Sequence, residues 1–184
     1  MTKYNKYTQY KTVDIKQRDW PNNSLNKCPI WCSVDLRDGN QALAEPMDSV
    51  RKMKFFKKLI DVGYKEIEVG FPSASDTDFN FIRELINDGH IPDDVTIQVL
   101  TQSREELIIK TIDSLKGSKN AIIQLYNSTS TLQRKVVFKE DMNGVKKIAT
   151  DGAKLICDNI GILNNTNVRL EYSPESFTGT ELPY

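Results

Sequence analysis

Arg37 and Asp38 form the adjacent pair in this sequence that is best suited to chemistry, and they directly follow the apolar run 31–36. A carboxylate at such a position can ligate a divalent metal, and a guanidinium beside it can stabilise negative charge that develops on a substrate carbonyl oxygen. A surface ion pair in a loop would show the same two residues, so both interpretations stay open from the spacing alone. The segment 37–41 holds one glycine, which argues against the Gly-rich phosphate turn of a dinucleotide-binding sheet.

Polar residues follow each of five short apolar runs that predict β-strands. The predicted strands are 31–36, 66–71, 96–101, 120–126 and 168–173. The polar residues at their carboxyl ends are Arg37 and Asp38, Pro72 and Ser73 after Gly70, Thr101 and Gln102, Tyr126 and Asn127, and Ser173 and Glu175. In a (β/α) barrel these ends converge on one mouth, where active sites are built. The pattern therefore favours a barrel.

Between the predicted strands, apolar residues recur with the 3.6-residue period of amphipathic helices. Helices are predicted over 48–62, 75–88, 103–117 and about 140–161. We expect Ser75 to cap the second helix and Ser103 with Glu106 to form a capping box on the third. The predicted buried face of the first helix comprises Val50, Met53, Phe56, Leu59, Ile60 and Val62. Alternating strands and helices predict parallel strands with right-handed crossovers, in either an open doubly wound sheet or a closed eight-stranded barrel.

Three other residue types receive a structural interpretation. Glu66 and Glu68 alternate with apolar residues on the second strand, so both could point into the barrel or lie at its bottom. His90 is the only histidine and lies in a helix-to-strand loop, which a barrel places away from the mouth, so we expect a structural or solvent-exposed side chain. The cysteines have no metal or redox spacing and are expected to be reduced thiols. They are Cys28, Cys32 and Cys157.

Composition excludes several classes of protein. The 184 residues are 39% hydrophobic and 27% charged, as in an ordinary folded domain. Lys+Arg and Asp+Glu number 25 each, so no positive field would hold a nucleic acid or an anionic membrane. With no apolar run near the roughly 20 residues that span a bilayer, and no signal or transit peptide, a cytoplasmic location is expected. Residues 1–30 are expected to form an N-terminal arm, and residues 31–184 an incomplete barrel domain.

Five stretches of the chain resemble the 2-isopropylmalate synthases, a family of acyltransferases, in order and spacing. They are 35–43 (DLRDGNQAL), 66–75 (EIEVGFPSAS), 93–100 (DDVTIQVL), 126–130 (YNSTS) and 171–176 (EYSPES). The Arg-Asp element is shared with homocitrate synthase, citramalate synthase and the hydroxymethylglutaryl lyases, but the five stretches together are specific. The resemblance runs from about Trp20 to the last residue.

This resemblance implies an α/β fold, namely the first five units of a (β/α)₈ TIM barrel, and a Claisen condensation of acetyl-CoA with 2-oxoisovalerate in leucine biosynthesis. It implies that Arg37 is catalytic and binds substrate, and that Asp38 ligates a divalent metal, which could be Mg²⁺, Mn²⁺ or Zn²⁺. Leu100, Ser173 and Glu175 match positions that line the oxoacid pocket. The full-length family members imply a homodimer.

Two departures from the family limit what carries over. The family usually has a histidine where this chain has Gln124, and it completes its metal site with a His-x-His pair from a strand that would follow residue 184. A full barrel takes roughly 250 residues, so we expect five of eight strands here and no synthase activity from the isolated chain. The alternatives are a related Claisen enzyme, such as homocitrate or citramalate synthase, and a non-catalytic barrel fragment that associates with a fuller subunit.

Overall fold

Five parallel strands form one sheet in the computed structural model, which describes residue 16 and residues 27–184. Most of the predicted N-terminal arm lies outside these described residues. The strands are β1 (Cys32–Ser33), β2 (Glu66–Gly70), β3 (Thr96–Gln102), β4 (Asn120–Ser128) and β5 (Asn167–Glu175). Each pairs in parallel with the next along the chain.

The strand order β1-β2-β3-β4-β5 decides between the two predicted architectures. A doubly wound sheet reverses its strand order at a switch point, whereas right-handed crossovers between successive neighbours place every helix on the same face. The fold is therefore α/β with a half-barrel of the (β/α)₈ type, as predicted. The strands converge with their carboxyl ends on one side, which is the mouth of the half-barrel.

Helices connect the strands, and their bounds are close to those predicted. They are α1 (Ser49–Val62), α2 (Asp76–Asn87), α3 (Glu105–Ser114), the single turn α4 (Thr131–Gln133), which continues into a π-helical turn at Arg134–Phe138, and α5 (Met142–Asn159). Ser75 caps α2 by accepting from the Asp78 amide, as predicted, and α1 ends at Gly63, whose φ of 108° suits glycine.

The predicted capping box on α3 is wrong. The N-cap of α3 is Arg104, and its side chain makes no capping hydrogen bond. The Ser103 hydroxyl instead donates to the Ile148 carbonyl of α5 at 2.6 Å. The Ser103 hydroxyl therefore makes a tertiary contact with α5 instead of capping α3.

The hydrophobic core lies between the sheet and the helices. Phe56 and Leu59 of α1 are buried in it as predicted, but Val50 and Val62 are 64% and 68% exposed, so the predicted buried face was too wide. The helix-facing residues of the strands are fully buried: Ile67, Val69, Ile97, Val99, Ala121, Ile123 and Leu125. Because strand side chains alternate, the residues between these face the other side of the sheet.

That second face, the polar face of the sheet, carries charged and amide side chains. Glu66 and Glu68 both belong to it, which agrees with one of the two predicted placements. Glu66 pairs with Arg169 of β5 near the amino ends of the strands, and Glu68 lies two residues nearer the mouth. His90 is half-buried in the loop before β3, outside the mouth. No helix among residues 27–184 is long and apolar enough to cross a membrane.

Candidate functional site

The first strand ends earlier than predicted, and this places Arg37 and Asp38. β1 has only two residues, and Asp35–Gly39 forms a π-helical turn in which the amides of residues 37, 38 and 39 all donate to the Val34 carbonyl. Leu36 is fully buried and anchors the turn from below. Adjacent residues on a strand would point to opposite faces, but the turn brings the Arg37 and Asp38 side chains together at 2.8 Å between Nη1 and Oδ1.

Arg37 is held from behind by the buried carboxylate of Glu68. Its Nε lies 3.0 Å from Glu68 Oε1, while its side chain keeps 17% of its exposure and that of Asp38 keeps 63%. The Nε hydrogen does not point along that line, so the contact is an ion pair, and neither Glu68 oxygen has a directional hydrogen bond. Two carboxylates therefore fix the guanidinium, and the distal Nη2 has no partner among the described side chains.

Burial dominates the ionisation of Glu68. Removal from water raises the pKa of this carboxyl, the Arg37 guanidinium opposes that rise, and the negative charges of Asp38 and Glu171 add to it. The net direction is upward. The Glu68 carboxyl therefore keeps its proton to a higher pH than an ordinary glutamate does, although it lies next to the permanent positive charge of Arg37.

The loop after β2 is fixed at the mouth by a second buried ion pair. Lys52 of α1 is fully buried and its Nζ lies 2.6 Å from Asp78 Oδ1, while Asp78 Oδ2 accepts from the Phe71 amide at 2.8 Å. A Cβ on Gly70 would stand 2.9 Å from the Asp78 carboxylate, so this close approach needs glycine. The Phe71 ring in turn packs edge-on against Tyr126 of β4.

A chain of amide hydrogen bonds crosses the polar face of the sheet. Gln98 Nε2 of β3 donates to Gln124 Oε1 of β4 at 2.9 Å, and Gln124 Nε2 donates to Ser173 Oγ of β5 at 2.8 Å. At the other end, the Cys32 thiol of β1 lies 3.7 Å from Gln98 Oε1. The chain therefore links four strands and ends at Ser173, one of the residues singled out from the sequence.

The remaining predicted site residues lie on the same face or at the end of a strand. Leu100 of β3 is 9% exposed and pairs in register with Gln124, and Glu175 is exposed at the carboxyl end of β5. Burial raises the pKa of the Tyr126 hydroxyl, the charge of Glu175 raises it further, and that of Arg37 lowers it. Tyr126 thus lies within the electrostatic reach of both charged groups.

Two clefts open at opposite ends of the strands. One, of about 910 Å³, adjoins Arg37 at the mouth and lies between the loops after β1 and β2, with Met47, Phe71 and Ala74 in its wall. The other, of about 870 Å³, lies at the amino ends of the strands beside Trp31 and the pair of Glu66 with Arg169. We assign the site to the first because it alone contains Arg37.

Asp38 is the residue best placed to bind a metal. Its exposed carboxylate offers an oxygen ligand of the kind that Mg²⁺ and Mn²⁺ prefer. Within residues 27–184, however, no group of three or more histidine, cysteine or acidic side chains is arranged to hold an ion. Asp38 therefore fits as one ligand, and water, substrate or further side chains would have to supply the others.

Sequence reasoning missed the roles of Glu68, Gln98 and Lys52. Glu68 could have been found from its position, because a charged residue within an otherwise apolar strand must find a partner. The partners of Gln98 and Lys52 depend on strand register and helix packing, for which the sequence has no local signal.

Comparison with known proteins adds a family and named relatives. Residues 28–184 match the family described as HMGL-like. A protein named 2-isopropylmalate synthase from Pseudarthrobacter chlorophenolicus is 58% identical over 184 residues, which covers 98% of this chain and 32% of that protein. Proteins of the same name from Clostridium acetobutylicum and Pseudomonas savastanoi pv. phaseolicola are 56% and 55% identical, over 98% and 97% of this chain. The chain spans about a third of the length of these curated relatives.

Proposed function

This chain belongs to the HMGL-like family, and from that premise we propose that it supplies catalytic residues of a 2-isopropylmalate synthase. This acyltransferase would join acetyl-CoA to 2-oxoisovalerate in leucine biosynthesis. The relatives named above support the assignment. The observation that carries it is the fixed guanidinium of Arg37, held by Glu68 and Asp38 at the mouth of the half-barrel.

Arg37 suits the chemistry of a Claisen condensation. The methyl group of acetyl-CoA loses a proton to a base, its carbon forms a bond to C2 of the 2-oxoacid, and the electron pair of the C=O bond moves to the keto oxygen, which then takes up a proton. Arg37 would donate to that oxygen as its charge develops, and because two carboxylates already hold the guanidinium, little reorganisation is needed at that moment. Water then hydrolyses the thioester and releases CoA.

Asp38 would hold a divalent metal, Mg²⁺, Mn²⁺ or Zn²⁺, together with the 2-oxoacid. A bound metal supplies Lewis acidity that polarises the keto group and orients the substrate. The role of the described residues is to keep the Asp38 carboxylate exposed and next to Arg37, which the turn after β1 accomplishes.

The substrates would lie on either side of Arg37. We propose that the 2-oxoacid contacts Leu100, Ser173 and Glu175 on the polar face, and that acetyl-CoA enters through the cleft of about 910 Å³ beside Phe71. We also propose a homodimer, which the resemblance implies, and a cytoplasmic location, which the sequence predicts.

The test is CoA release, measured with a thiol reagent, from the complete polypeptide that the gene encodes. We expect release to require acetyl-CoA, 2-oxoisovalerate and a divalent metal, and the product to have the mass of isopropylmalate. Preference for 2-oxoglutarate or pyruvate would instead indicate a homocitrate or citramalate synthase. Absence of release with all three oxoacids would leave the non-catalytic alternative. The 184 residues expressed alone should be inactive, because residues 27–184 contain no group of three or more side chains arranged to hold an ion.

Asp38 can be tested against a matched carboxylate in the same turn. Asp38→Asn should weaken metal binding and lower kcat/KM by at least about 10-fold, since even groups that only orient ligands contribute about that much. Asp35→Asn is the control, because the Asp35 carboxylate accepts from Ser33 Oγ at 2.6 Å. Equal losses in both variants would show that the turn, and not a ligand, had been disturbed.

A further inference from the structure

We propose that Gln124 is a positioning residue that directs the hydroxyl proton of Ser173 toward an oxygen of the bound 2-oxoacid. The inference rests on the proposed function and deepens it by adding a residue to the substrate pocket. Gln124 would not touch the reacting atoms. It would act through Ser173, whose side chain is half-buried on the polar face.

The geometry of the amide chain supports this role. Gln124 uses both ends of its amide, since Oε1 accepts from Gln98 at 2.9 Å and Nε2 donates to Ser173 Oγ at 2.8 Å. A hydroxyl that accepts such a bond keeps its own proton free to donate elsewhere. Among the described side chains, none accepts that proton.

The contact with Cys32 favours this direction of the chain. An amide chain can run in either direction, and in the opposite one the Ser173 hydroxyl would donate to Gln124 and could only accept from a ligand. Burial raises the pKa of the Cys32 thiol to about 11, so the sulfur carries its proton and acts as a donor. Two acceptors lie within reach of this proton, Gln98 Oε1 at 3.7 Å and the Ser33 carbonyl at 3.8 Å. With the thiol donating to Gln98 Oε1, the nearer of the two, Gln98 Nε2 faces Gln124, and the same orientation passes on to Ser173.

The bound 2-oxoacid can accept the free proton of Ser173. A 2-oxoacid has several oxygen acceptors, and in the proposed reaction Arg37 donates to the keto oxygen. A donor on β5 adds a second fixed point, and two fixed points define how the molecule lies against Leu100 and Gln124, which are neighbours in register.

Calorimetric titration of the complete polypeptide with 2-oxoisovalerate, in the presence of Mn²⁺, tests the inference. Gln124→Met keeps the length of the side chain but removes the donor, and we expect the Kd to rise about 2- to 10-fold, the value of one hydrogen bond. Ser173→Ala should do the same. Because both remove one contact, the double variant should be no weaker than the weaker single variant.

Further variants separate positioning from general damage. Gln98→Met should also weaken binding, by a smaller factor, while Gln133→Met, in the single turn α4, should leave the Kd unchanged. In all of them the melting temperature should be retained. In Gln124→Met, Ser173→Ala and Gln98→Met the loss should appear more as a higher KM for the oxoacid than as a lower kcat, and Gln133→Met should change neither.

The outcomes are distinguishable. A wild-type Kd in Gln124→Met, or multiplicative losses in the double variant, would overturn the role of Gln124. Failure of the wild-type protein to bind 2-oxoisovalerate at all would instead overturn the proposed function on which the inference rests.

Discussion

Replacing Glu68 with glutamine should move activity and stability in opposite directions. The substitution keeps the shape of the side chain and removes the negative charge that lies 3.0 Å from Arg37 Nε. Arg37 would then be held by Asp38 alone, through one contact to an exposed carboxylate. The guanidinium should sample more orientations, and fewer of these would meet the oxygen on which charge develops.

The expected size follows from the kind of contact that is lost. Interactions with a charged hydrogen-bonding partner contribute about 1.5–3 kcal/mol, and each 1.4 kcal/mol corresponds to about tenfold in rate. The Nε hydrogen is poorly aligned with Glu68, so the lower part of that range applies. We therefore expect kcat/KM to fall about 10- to 50-fold.

Glu66 provides the matched control for this substitution. It lies two residues earlier on the same strand and face, but it pairs with Arg169 at the amino ends of the strands. Steady-state CoA release should therefore be nearly unchanged in Glu66→Gln. If Glu68→Gln stays within twofold of wild type, or if both variants lose activity equally, the positioning argument for Glu68 fails.

The difference in stability between Glu68→Gln and wild type should depend on pH. The folded-state pKa of Glu68 is raised by burial, so the folded protein binds this proton more tightly than the unfolded chain does. That contribution to stability is present below the ordinary carboxyl pKa and is lost as pH rises through the folded-state pKa. Glu68→Gln should thus melt above wild type at neutral pH and match it near pH 4. If the melting temperature of Glu68→Gln minus that of wild type is smaller at pH 8 than at pH 4, the predicted direction is wrong.

Two further predictions concern packing and reactivity. Gly152→Ala should lower the free energy of unfolding, measured in urea, by about 1–3 kcal/mol, because a Cβ there would lie 2.1 Å from Ser103 Oγ and 3.3 Å from Leu125 Cδ2. Adding Ser103→Ala should recover part of the loss. Full stability in Gly152→Ala alone would contradict the clash. Cys32, whose pKa burial raises to about 11, should react with iodoacetamide at pH 8 at least about 10-fold more slowly than exposed Cys157. Equal rates in the folded protein would contradict its burial, and equal rates after denaturation are the control.

Local patterns predicted the elements of this fold well because each strand and helix has its own signal. The period of α2 and the serine at its start lie within one stretch of chain, and the structure confirms both. The exposure of Val62 and the use of Ser103 by α5 could not be predicted in this way, since both depend on which elements pack together. The strand order, which separated the half-barrel from a doubly wound sheet, is likewise a property of the assembled sheet.

The candidate site was predicted in part for the same reason. Arg37 and Asp38 are adjacent in sequence, so a turn was enough to bring them together. Glu68 lies 31 residues after Arg37, and their contact exists only because β1 and β2 pair in a register that matches Ser33 with Ile67. The chain through Gln98, Gln124 and Ser173 depends on two further registers.

The polar face of the sheet shows how the site constrains the fold. A barrel interior is ordinarily filled by apolar side chains, yet this one places Glu68, Gln98 and Gln124 where Val or Leu would pack. Burying these groups is tolerated because nearly every one has a partner, and the exception is the pair of Glu68 oxygens, which lack directional hydrogen bonds. That exception lies beside Arg37. The least satisfied polar group of the described face is therefore the one whose charge fixes the guanidinium, which is why removing that charge should stabilise the fold and weaken the reaction.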